Sequence, residues 1–424
     1  MRNSSISRDA FITGAAVGAA ALSIGVPAFV PKRTEAEETI KIGETDELTG
    51  TYAALGLSQQ RGETLAMEKW NKRGGVMGRK AEMVTEDNEG NPGVAVQKAR
   101  KLIQQDKVVA LIGTVSSAVA LSTSSTANAL GMLFMDAGGH ADNITGKDCH
   151  WNTFQTCHTT WALTHASGFS TAEKFGKRWY LITPDYAFGH ALANGYADVS
   201  KRIGGTIVGN DLTPLGTTDF SPYLSKVESA KIDVLLILTN GDDYVNCMKQ
   251  ANAFGLLKKL PVGGPYAELE ALWALPAVAR VGYWGTEWYY KDDVVLGKSN
   301  SEARSFVAEY RRRFGTPPTA RSAFGYASMD RLLWAIDHAK STDSVKIARA
   351  LEGAEFTSIW DGRSVYRKED HELMWPMWVG TLRANGTPQD KYDVFNVTSR
   401  QPADKIFISD AEASKVCPSL GYPT

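Results

Sequence analysis

The chain has little of several things that usually announce a function. Of its 424 residues only four are cysteine and seven histidine. Cys149, Cys157, Cys247 and Cys417 match no zinc-binding spacing, and no His-Glu-x-x-His or clustered His/Cys set is present to hold a catalytic metal. An excess of charge of one sign is missing too: 46 Lys and Arg against 47 Asp and Glu leave a net charge of −1. That balance offers no nucleic-acid surface and no polybasic membrane patch. A second long apolar run is lacking, and a mean hydropathy of −0.23 argues against an integral membrane protein. There is no Gly-x-Ser-x-Gly elbow to expose a nucleophile, and Gly113-Thr114-Val115-Ser116-Ser117 lacks the lysine of a phosphate-binding loop. Asp46-Glu47 and Asp242-Asp243 are adjacent pairs, which do not converge as catalytic carboxylates do; they read as solvated loops. Neither an enzyme nor a bound cofactor or metal is expected.

What is present begins with an export signal. Arg2 and Arg8 precede an apolar stretch from Phe11 to Val26, and Val26-Pro27-Ala28 offers a small-residue cleavage site, so residues 1–30 read as a signal peptide. The run is short for a spanning helix, which needs about 20 residues; a retained anchor is the alternative reading. Ser7-Arg8-Asp9-Ala10-Phe11 resembles a twin-arginine motif with Asp9 in place of the second arginine, so the route, Sec or Tat-like, stays open. In an exported chain the four cysteines allow up to two disulfides. A Cys149–Cys417 bridge is favoured because a loose C-terminal tail would gain most from a staple; the other pairings stay open.

Apolar strands alternate with amphipathic helices along the rest. Strands are expected at Ile40 to Gly43, Val108 to Ile112, Met132 to Met135, Trp179 to Ile182 and Ile232 to Leu238. Helices are expected from near Gly56, at Ala118 to Leu130, His190 to Ile203, Asp242 to Phe254, Ser301 to Phe314 and Ala323 to Lys340. Continuous apolar strands between polar turns imply parallel sheets covered on both faces, an α/β doubly wound architecture. Strands at Met377 to Leu382 and Tyr392 to Val397 then lead into an extended tail. The length suits two domains of roughly 100–200 residues each. A strand ending in a small-residue loop at a helix N-terminus, as in TIKIGETDELTGTYAALGLSQQRGETLAM, is where such folds hold small ligands.

Several segments carry a resemblance. IKIGETDELTGTYAALG, the run NKRGGVMGRKAEMVTEDNEGNPGVAVQKARKLIQQDKVVALIGTVSSAVALS, the loop MDAGGHADNITG, then TPDYAFGHALANGY and MKQANAFGL before Gly263-Gly264 are similar, in order and spacing, to type I periplasmic solute-binding proteins of ABC transporters, in the leucine/isoleucine/valine-binding branch. The resemblance covers nearly the whole mature chain. It implies two doubly wound lobes joined by a multi-strand hinge, lobe 1 comprising 39–157 and 288–378 and lobe 2 comprising 158–287 and 379–424 with the tail. It also implies a periplasmic receptor that delivers a small solute to permease subunits with their ATPases.

In that family the first lobe holds a ligand carboxylate with backbone N–H groups and hydroxyls. Ser116, Ser117 and the Gly138-Gly139-His140 loop stand in those places, and Ser117 is equally placed to cap its helix. Aromatic residues of the second lobe cover the solute; Phe188 and Tyr289 fall at such positions, with Tyr186 and Trp288 beside them, and each could instead be core. Tyr52 and Leu55 lie in the first loop, Leu55 replacing a family aromatic. Amino-acid binders place an acidic residue just past the Gly-Gly turn to pair with the ligand ammonium. Tyr266 stands there, with Glu268 two residues on. Either Glu268, Asp242 or Asp243 takes over, or the ligand has no amine. The second reading makes the solute a small organic acid, possibly aromatic; branched-chain or other amino acids, and amides or urea, are the alternatives.

Overall fold

The computed structural model describes residues 38–291, 300–360 and 362–423; the expected signal peptide lies outside them. The chain runs β1 (Ile40–Asp46), α1 (Ala53–Lys72), β2 (Ala81–Asp87), α2 (Pro92–Gln104), β3 (Ala110–Gly113), α3 (Ser117–Ala129), β4 (Phe134–Asp136) and β5 (Thr153–Gln155). These strands form a parallel sheet in the order β2-β1-β3-β4-β5. Side chains alternate across it. Ile40, Ile42, Ile112 and Met135 face one apolar cluster with Leu65 and Ala66 of α1, whereas Leu111 and Phe134 meet Ala99, Leu102 and Ala127 of α2 and α3 on the other side.

The chain continues through α4 (Thr160–Phe175), β6 (Arg178–Pro184), α5 (Ala187–Ile203), β7 (Thr206–Thr213), α6 (Ser221–Ser229), β8 (Val234–Ile237), α7 (Gly241–Ala253), α8 (Leu256–Lys259), β9 (Val262–Gly264), α9 (Leu269–Ala274) and β10 (Tyr283–Thr286). Trp179, Leu181, Val234 and Leu236 pack on Leu163 of α4 and Leu192 of α5, while their alternates Tyr180, Ile182, Leu235 and Ile237 join Leu224, Met248 and Ala251 of α6 and α7. Both sheets are therefore covered on two faces, as near-continuous apolar strands require.

Helices α10 (Ser301–Phe314), α11 (Ala320–Ala339) and α12 (Ser344–Leu351) follow, and α11 lies along α1 on the first lobe. A small antiparallel sheet, β11 (Glu355–Phe356), β12 (Ser364–Tyr366) and β13 (Leu373–Met374), precedes β14 (Met377–Leu382) and β15 (Phe395–Gln401). The last two add antiparallel strands to the second sheet, whose order is β15-β14-β10-β9-β8-β6-β7.

Three differences from the sequence reading concern the C-terminal part. β14 joins the second sheet from Met377, two residues before the expected switch. The tail is not extended: it forms α13 (Ala403–Ile406) and α14 (Asp410–Val416), the latter held by a Ser409–Glu412 capping box. It also returns to the first lobe, where Cys417 is disulfide-bonded to Cys149 and Trp151 N–H donates to Leu420 O over 2.7 Å. Cys157 and Cys247 are free and buried. Gly263-Gly264, read as a turn, is strand β9.

Candidate functional site

Parallel strands end together, so the loops at their C-terminal ends face one crevice. From the first lobe come Glu47–Tyr52 after β1, Thr114–Ser117 after β3 and Ala137–Ala141 after β4. From the second come Tyr186–Phe188 after β6, Thr239–Gly241 after β8 and Pro265–Glu268 after β9. The lobes touch: Tyr52 and Tyr186 share a hydroxyl hydrogen bond of 2.8 Å, and Leu55, Tyr52 and Val115 pack together against Tyr186.

The first-lobe loops are shaped mostly by their own side chains. Ser116 is the N-cap of α3 but makes no side-chain cap, and Ser117 does not cap either. Ser117 Oγ accepts the N–H groups of His140 and Ala141, each over 3.1 Å, pinning the loop after β4. The N–H of Ser116 was expected to face a ligand carboxylate. It donates instead to Glu47, which also takes the N–H of Val115 and the Thr114 hydroxyl. Asp46 and Glu47 are fully buried, correcting their reading as solvated; Asp243 is buried too and accepts the Gly216 N–H. Glycine is required at 138 and 139 by close approach: a Cβ on Gly138 would lie 2.4 Å from Arg321 Nη1, and one on Gly139 2.5 Å from Ala120 Cβ.

His140, Tyr266 and Phe188 come together. The His140 ring stacks on Tyr266 at 5.3 Å and meets the edges of Phe188 at 5.9 Å and Phe324 at 6.0 Å. His140 Nε2 lies 2.9 Å from Glu287 Oε2. Burial alone would raise the Glu287 carboxyl, but the His140 and His158 imidazoles hold it well below the usual range.

Tyr289 does not belong to this group. Its hydroxyl donates to Asp393 and its ring lies 5.7 Å from Phe395 and 5.1 Å from Tyr290. It was assigned to the ligand wall because it follows the return from β10, but the chain turns there and points the ring at β15. Trp288 is core as well, donating to Ile359 O and packing on Phe306.

Arg321, in the first turn of α11, was not anticipated. It is 1% exposed, and its donors reach Glu268 Oε1 at 2.6 Å, Gly138 O at 2.9 Å and the Tyr266 hydroxyl at 3.2 Å, so it bridges the lobes. Burial would lower its pKa, yet Glu268 outweighs it and keeps the guanidinium charged. The available signal was helical phase: Phe324 and Ser328, three and seven residues on, share its buried face. Asn240 Nδ2 also reaches the Tyr266 hydroxyl, at 3.3 Å.

A two-lobed fold with such a crevice is that of a solute receptor. The chain belongs to the periplasmic binding protein family, whose model matches residues 39–387, and is a solute-binding protein of the ABC-transporter kind. It is 27% identical over 356 residues to a Leu/Ile/Val-binding protein homolog 7 of Brucella suis, covering 79% of this chain and 86% of that one. Among solved structures, an amino acid ABC transporter substrate-binding protein from Pseudomonas fluorescens is 28% identical with a TM-score of 0.80, covering 89% of this chain and 99% of that one. A solute-binding protein from R. palustris in complex with benzoate shares the fold at 22% identity and a TM-score of 0.76, covering 86% of this chain and 97% of that one.

Proposed function

We propose that the protein captures a small organic acid carrying an aromatic ring between its lobes and delivers it to a permease pair driven by two ATPases. The observation that carries this reading is the buried Glu268–Arg321 pair. A ligand ammonium needs a carboxylate partner once desolvated. Glu268 is committed to Arg321, Glu287 to two imidazoles, Glu47 to backbone N–H groups and Asp243 to Gly216, while Asp242 is exposed. Rings are plentiful around the same point, in Tyr52, Tyr186, Phe188, Tyr266 and Phe324, and suit a flat apolar body. The benzoate complex of the R. palustris protein is consistent with this choice.

The second reading is a branched-chain amino acid, as the names of the Brucella relatives suggest. It is favoured by Glu268 Oε2, which is buried without a hydrogen-bond partner and could take an ammonium. Calorimetry of the mature protein with benzoate, hydroxybenzoates and short aliphatic acids beside leucine and valine separates the two. Saturable binding of a ring acid, retained in Glu268→Gln, is expected. Leucine or valine binding that this variant abolishes, with no heat from any acid lacking an amine, overturns the proposal.

A further inference from the structure

Three stretches carry the chain between the sheets: Thr156–Thr159 after β5, the segment leaving β10 at Glu287, and Trp375-Pro376 between β13 and β14. One imidazole touches all three. His158, in the first stretch, places Nδ1 3.0 Å from Glu287 Oε1, and its own backbone N–H donates to the same oxygen. Its Nε2 lies 3.1 Å from Trp375 O, and the Trp375 indole N–H returns to Thr156 O at 3.0 Å. The other Glu287 oxygen receives His140 from the crevice.

A carboxylate and a backbone carbonyl both only accept. A neutral imidazole has a single N–H, and would set the lone pair of its other nitrogen against the lone pairs of one of these oxygens. We propose that His158 is a doubly protonated clamp on the hinge in this closed arrangement, and that Glu287 is the positioning residue that couples the clamp to His140 in the crevice. The inference rests on contacts between crossovers and holds whichever solute class the protein takes.

The surroundings agree. The rings of Trp375 and Phe407 lie 4.5 and 5.6 Å from His158 and exclude water from it. Glu372 approaches through the Thr159 N–H at 3.3 Å and is itself bonded to Arg367. Cys157, next in the chain, is kept a neutral thiol by burial. Arg321 faces the crevice side of the network, where it is matched by Glu268. Glu287 is thus the anion that faces the His158 ring nitrogens directly. Rotating the lobes apart alters how the three stretches meet, so opening loosens one or both acceptors and releases the second proton. Raising the pH therefore favours the open form.

Nitrogen-15 NMR of the full mature chain at pH 7, without added solute, tests the proton count, with His158 assigned through the backbone. Both ring nitrogens in the protonated range are expected; one in the unprotonated range overturns the clamp. Small-angle scattering from pH 6 to 9 tests the coupling. The parent should expand with rising pH, Glu287→Gln should do so with a midpoint lower by about one unit or more, and His158→Gln should lose the profile. A radius independent of pH in the parent, or the parent profile in a folded His158→Gln, overturns the coupling.

Discussion

A guanidinium enclosed between two lobes is tolerable only if its donors and charge are met. Arg321 directs them to Glu268, Tyr266 and Gly138. Removing it strands the partner carboxylate, and removing one member of a buried pair typically costs about 3–5 kcal/mol. Arg321→Met is expected to lose stability on that scale in urea unfolding, and Arg321→Met with Glu268→Gln to recover most of it. If the double variant is as unstable as the single, packing and not charge is what Arg321 supplies. At this scale the sequence was partly legible. Ser117, Gly138–His140, Phe188 and Tyr266 were found through the order of the loops, and they do meet. Arg321 was missed because a charged residue opening a helix reads as solvated, and the carboxylate that pairs with it lies on the other lobe.

Helices α1 and α11 approach so closely that glycine backbones form the contact. A Cβ on Gly62 would lie 1.9 Å from Ser322 O, and one on Gly325 2.1 Å from Gln59 O. Both opposing atoms are backbone, which cannot rotate away. Gly62→Ala should therefore cost about 1–3 kcal/mol through overpacking despite the better helix propensity of alanine, read as a lower thermal midpoint. A gain in stability would mean that α11 shifts freely along α1. Long periodic elements were readable: Ser301–Phe314 has the anticipated bounds, and the main strands lie within a few residues of expectation. The small sheet β11–β13 and the tail helices α13 and α14 were not. Elements of two to seven residues show too little periodicity to stand out from loop.

Across the whole molecule, the Cys149–Cys417 bond spans 268 residues and fastens the tail to the first lobe after the chain has visited the second. Cross-linking so long a loop restricts the unfolded chain strongly, and loss of a native disulfide commonly costs about 2–5 kcal/mol. Replacing both cysteines by serine should lower the thermal midpoint and expose the tail to protease, with the far-ultraviolet circular dichroism preserved. Equal protease resistance in the two proteins would show that α14 is held by packing alone. The two-lobed plan was legible because alternating strands and helices leave few alternatives. The return of the tail was not, because pairing of distant cysteines leaves no local pattern.

The fit of α11 against α1 also sets an order of events during synthesis. All five strands of the first sheet have emerged by Gln155, but the helix that covers one of its faces comes only at Ala320–Ala339, after the second lobe has been made. Until then the nascent first lobe exposes the apolar side of α1 that Phe324 and Ala327 later cover. A long-range partner of this kind delays completion and leaves the intermediate prone to association. A chain cut between the lobes would keep that bare face permanently.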